Sequence, residues 1–233
     1  MKVIPAGLAV VLAAGVAVWA QTGQPPKPGA ATRPSPRPQP SIVPVSWQLE
    51  FDFKDPKPII LMLPGEKRPQ TFWYMLFEVS NKTPTDQIFV PSFVMYTDSG
   101  HVQPAGKKVP TSVFRAILKR HNNPLLVNMV TISGRLLQGE DNAKEGVAIW
   151  PDFDPRSRQF DIFIGGLSGE RAKVKLPAPI VVTETDDDGK VKKVTKTEIV
   201  LSKTLHLQYK LVGEAAARAE NKPKLELKEW VMR

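Results

Sequence analysis

The chain has 233 residues, a net charge of +9, 23 prolines and no cysteine. The missing cysteine excludes disulfide staples, thiolate zinc sites, cysteine nucleophiles and lipid attachment through a thiol. The length suits one sizeable domain, and the basic excess is too modest to single out acidic polymers or nucleic acid as partners over an ordinary mixed-charge surface.

Residues 1–44 contain no acid. Lys2 precedes an apolar run over residues 4–19, and Val18-Trp19-Ala20 leads into polar Gln21. That pattern is a signal peptide over residues 1–20, cut after Ala20. The rival is an uncleaved anchor, which its Ala and Gly content makes weakly hydrophobic. Residues 21–44 carry eight prolines, three cations and no large apolar residue before Ile42. Such a stretch cannot bury a core and reads as an extended proline-rich linker. Residues 45–233 then form the domain, with 28 basic and 23 acidic side chains.

Within the domain, residues 46–53 alternate, with Trp47, Leu49, Phe51 and Phe53 facing one way, as in a half-buried strand. Residues 59–63 form a short apolar run. Residues 71–79 are apolar on both faces, so one face joins a sheet-on-sheet core and the other needs cover from a helix, a loop or a partner. Residues 81–86 make a turn; Asn81-Lys82-Thr83 also spells a glycosylation acceptor, with the turn preferred. Residues 88–97 form a strand in which Pro91 marks an edge or bulge.

One helix is expected over residues 110–122, capped by Thr111 or Ser112, with Val113, Phe114, Ile117 and Leu118 on one stripe and Arg115, Lys119, Arg120 and His121 toward its C-terminus. Its stripe is the candidate cover for the outer face of residues 72–77. Further strands are expected at 147–150, 160–164, 172–176, 180–185, 191–200 and 204–211, with a hairpin turn at Asp188-Gly189. Residues 214–220 suit a helical turn, and Leu225, Leu227 and Trp230 a last strand. Many short strands with one helix point to a mainly β fold, a β-sandwich.

Chemistry is thinly signalled. His101, His121 and His206 have no metal-ligand spacing to one another. Gly165-Gly166-Leu167-Ser168-Gly169 fails as a nucleophile elbow because Glu170 stands where the second glycine belongs; a tight turn or bulge explains the glycines better. Glu184, Asp186 and Asp188 begin a calcium-like pattern, but Thr195 stands where the bidentate carboxylate belongs. Glu140, Asp141, Asp152 and Asp154 could supply an acid/base pair for glycoside cleavage.

Residues 73–83 and 93–100 resemble exported bacterial immunoglobulin-like domains, in which one strand ends in an Asn-containing turn and the next in an Asp-x-Gly turn. The segments at 134–143, 166–170 and 229–233 are similar to exported proteins of planctomycete bacteria that have no assigned activity. The resemblance implies an immunoglobulin-like sandwich and carries no catalytic residue. The expectation is an exported, non-enzymatic protein of the periplasm or cell envelope that binds an envelope protein or polymer without a cofactor. Trp73, Met75, Phe77, Arg115, Lys119 and Arg120 are its candidate contact residues. A carboxylate-dependent envelope hydrolase and a binder of acidic polymers are the alternatives.

Overall fold

In the computed structural model, the alternating segments become strands that partner distant parts of the chain. The structure describes residues 37–43, 46–185, 190–211, 213 and 222–233. The expected signal peptide, most of the linker, the Asp188-Gly189 turn with Asp186 and Asp188 of the calcium-like pattern, and the helical turn at 214–220 lie outside the described residues, while Glu184 of that pattern pairs with Lys196. Residues Pro38–Arg233 form one compact unit.

The first sheet contains β1 (Glu50–Phe53), β2 (Lys57–Leu61), β3 (Gln70–Asn81), β7 (Val127–Asn128) and β9 (Gly139–Pro151), in the order β1-β3-β9-β7 with β2 also on β3. The second contains β5 (Ser92–Thr97), β6 (Val102–Pro104), β10 (Gln159–Gly165), β11 (Arg171–Thr185), β12 (Val191–Lys210) and β13 (Lys224–Met232). Its order is β11-β12-β10-β5-β6, with β13 also on β12. A small sheet pairs β4 (Gln87–Phe89) with β8 (Gly134–Leu136). The protein is mainly β, as expected. The strand expected over 88–97 breaks at Pro91 into β4 and β5, which join different sheets because proline has no N–H for a ladder.

The two larger sheets face each other. Trp73, Met75 and Phe77 of β3 and Trp150 of β9 meet Phe93 and Met95 of β5, Phe160 and Ile162 of β10, and Leu207 and Tyr209 of β12 in one buried cluster. Rings meet between the sheets, Phe77 to Phe93 at 4.7 Å and Trp73 to Phe160 at 6.0 Å. The Trp73 indole N–H donates to Asp152 at 2.8 Å, so its one polar group keeps a partner at the core's rim.

The outer face of β3 is covered by α1 (Thr111–His121). Val113 and Ile117 are fully buried with Phe72 and Tyr74 of β3, Ile59 of β2, and Val147 and Ile149 of β9. Phe114 is only half-buried beside them. Val113 and Ile117 therefore anchor the helix, and Phe114→Ala should cost about 2 kcal/mol, below the 3–5 of a fully buried ring; urea unfolding measures it. The expected Thr111 or Ser112 cap is absent. Pro110 takes the cap position with no side-chain hydrogen bond, its fixed φ suiting the helix start. Asn122 ends the helix at φ 46. A second, short helix, α2 (Met129–Ile132), starts under the Asn128 side chain, which accepts from the N–H groups of Val130 and Thr131.

Asn81 is buried, its amide donating to the carbonyls of Thr85 and Leu136 and its oxygen accepting from Thr83. The turn reading holds, and the amide nitrogen is enclosed rather than presented for glycosylation. After β10 the chain leaves the sheet at Gly166, with φ +86, so that residues 167–169 bond back to residues 47–49. A Cβ there would overlap the Val90 carbonyl oxygen in a backbone region that only glycine enters freely. Gly166→Ala should cost about 1–3 kcal/mol in thermal unfolding.

Candidate interaction surfaces

The six candidate contact residues do not form one surface. Trp73, Met75 and Phe77 are 0, 0 and 3% exposed between the sheets, so they offer nothing to a partner. Both faces of residues 72–77 are apolar, and alternation places the odd-numbered residues inward and leaves Phe72 and Tyr74 under α1. Arg115, Lys119 and Arg120 are exposed on the far side of α1, with Arg120 donating to the Pro58 carbonyl at 3.3 Å. The sheet itself separates the two sets.

The candidate carboxylates do not converge either. Glu140 pairs with Lys82 at 2.6 Å, and Lys82 also holds Glu50. Asp152 accepts from Trp73. Asp154 takes a forked contact from Arg156, whose guanidinium and backbone N–H pull its carboxyl down to about 2. Glu170 and Lys203 pair at 3.0 Å with side chains only 7 and 4% exposed. The Ser41 N–H donates to Glu170 at 2.8 Å. That donation, and then Lys203, hold the Glu170 carboxyl below its usual range against the cost of burial. Ser41, linker by composition, is thus tied to the sheet.

Each histidine has local partners. His101 meets the Ser99 hydroxyl in an exposed turn. His121 meets the Tyr74 hydroxyl at 3.0 Å, and burial, then Lys57, Arg120 and Lys54, lower its pKa. His206 lies between Asp161 and Glu229, stacked on Phe163 at 4.5 Å. No group of three His, Asp or Glu arranged for a metal occurs among the described residues.

An arrangement missed in the sequence is an open cleft of about 270 Å³ beside the end of α1, lined by Asp52, Glu78, Glu145, His121 and Asn123 among others. Asp52 faces Glu78, and Glu78 faces Glu145, directly across adjacent strands. Like charges in that register destabilise a sheet slightly. Glu145 is relieved by the Asn123 amide. Each acid sits at a polar position of an unrelated strand, so only the pairing register brings them together.

The most distinctive surface is a two-stranded ribbon. The segments expected at 191–200 and 204–211 are one strand, β12, because Ser202-Lys203 carries no turn signal. Residues 205–210 lie between β10 and β13, while 191–201, among the described residues, pair with β11 alone. That part runs on for roughly 35 Å at about 3.3 Å per residue. No side chain of β11, and none from Val191 to Ser202, is buried. Ile180, Val181, Val191 and Val200 are 42, 66, 67 and 55% exposed. Val174, Val182, Val194 and Ile199 are half-buried, so part of the β-branched content that makes this stretch a ribbon stays in water. The sequence showed the strands but not that they outrun the sandwich.

No family model, curated protein or solved structure matches this chain.

Proposed function

We propose that this chain is an exported, non-enzymatic interaction protein of the cell envelope, an immunoglobulin-like sandwich whose β11–β12 ribbon is the contact element. The strand order supports the immunoglobulin-like reading. The sheets β1-β3-β9-β7 and β12-β10-β5-β6 follow that fold's A-B-E-D and G-F-C-C′ order. The parallel β7–β9 pair and β13 outside β12 depart from it. The leader and linker of the sequence support export to the periplasm or envelope.

The observation that carries the contact role is the ribbon without a buried side chain. A lone two-stranded hairpin is marginal in water, and exposed β-branched residues on it favour a docked surface. The test is retention of a component of envelope extract on the immobilised protein, with and without residues 176–197, the shortened form joined by Asn-Gly. A component held only by the intact ribbon supports the reading; equal retention by both forms refutes it. N-terminal sequencing of exported material checks the address, with Gln21 expected as first residue and Met1 in a membrane fraction indicating an anchor.

A further inference from the structure

We propose that the groove between α1 and α2 is a docking site for an acidic segment of a partner protein, which seats one apolar side chain in it. The site is separate from the ribbon and does not rest on the ribbon's contact role.

The two helices leave part of the first sheet's outer face open. Val113 and Ile117 fasten α1 to that sheet, but Phe114, on the same stripe, stays half-buried. Val109 and Phe114 from the α1 side and Met129 and Val130 from α2 line an open groove of about 280 Å³, with buried Val147 and Ile149 of β9 as its floor. Ile132 of α2 is enclosed in the core between the sheets. Val130, two residues before it, lies about 200° round the helix and is 85% exposed. A groove of this size stands at the small end of ligand sites, and it suits an anchor side chain of a larger partner.

Charge names the partner. Residues 99–139 carry six cations and no acid, and all of the groove's lining outside β9 belongs to that span. Lys107 and Lys108 stand in the chain between the lining residues Gly106 and Val109, and Arg115 follows Phe114. All three are exposed, and none pairs with an acid among the described residues. Glu145, on the same face of β9 as Val147, opens instead on the acid-lined cleft and is held by the Asn123 amide. An apolar pocket inside a rim of one charge is the form of an anchor site, and the rim complementary to this one is acidic. A bilayer fits less well, because α1 turns Val113 and Ile117 onto the sheet and keeps no apolar face to enter lipid.

A peptide library randomised at every position, selected on the immobilised full chain, tests the groove and the charge together. The enriched peptides should carry Asp or Glu around one large apolar residue. Fluorescence anisotropy with the best of them should show binding that weakens as salt rises. Val130→Asp, which sets a like charge in the groove, should lower affinity at least about tenfold, and Lys107→Glu with Lys108→Glu about tenfold. These positions are exposed, so each variant should unfold thermally as the unsubstituted chain does. The ribbon-shortened form should bind the peptide unchanged, which separates this site from the ribbon. Enriched peptides without acids, or binding that ignores both variants, overturns the proposal. Preferential binding to phosphatidylglycerol vesicles that the same variants abolish gives the groove to a lipid surface instead. A dimer of the full chain that Val130→Asp dissociates gives it to a second copy.

Discussion

Lys203→Ala should lower the stability of the domain by about 3–5 kcal/mol, because it leaves the Glu170 carboxylate enclosed without its cation. The pair sits where β12 leaves the sandwich, the Lys203 ammonium 5.3 Å from the Trp230 ring centre. The Ser41 N–H also converges on Glu170. Removing both charges together, Glu170→Gln with Lys203→Met, should cost much less than Lys203→Ala, since no bare charge remains. Equal losses in the two variants would show that water reaches the carboxylate.

The same contact has a pH signature. The carboxyl of Glu170 is held below its unfolded value near 4.5, so the folded state favours the ionised form. Its contribution is fully present above that value and fades as pH falls through the lower, folded one. Other acids, Asp154 among them, are depressed too. The difference in unfolding free energy between the unsubstituted chain and Glu170→Gln therefore isolates it. That difference should shrink on acidification below about pH 4.5; a difference independent of pH between 6 and 3 would contradict the assignment.

Ile117→Ala should cost about 2–5 kcal/mol. Ile117 is fully buried on the inner side of α1 and belongs to the cluster with Tyr74, Val147 and Ile149. Loss of its side chain leaves a cavity that a helix pinned on Val113 cannot close by shifting. Denaturant unfolding with an unchanged m-value would mark this as lost packing rather than a changed unfolded state. A cost below about 1 kcal/mol would mean that α1 is loosely held and that the outer face of β3 is open to a partner.

Period-two alternation was enough to place β1 and the C-terminal part of β12 as strands, because burial of one face writes itself into local order. The two apolar faces of residues 72–77 also announced that one of them needs cover from a helix, a loop or a partner, and the 113–118 stripe was the candidate that the structure places there. Which face went where was decided by pleat and register, so Trp73, Met75 and Phe77 turned inward and left the contact surface. The Asp52, Glu78 and Glu145 row and the Glu170–Lys203 pair were decided by tertiary structure alone, whereas the β11–β12 hairpin was legible and only its running on past the sandwich was not. Each depends on which residues of distant strands lie opposite one another, a matter of long-range pairing that no local window of sequence contains.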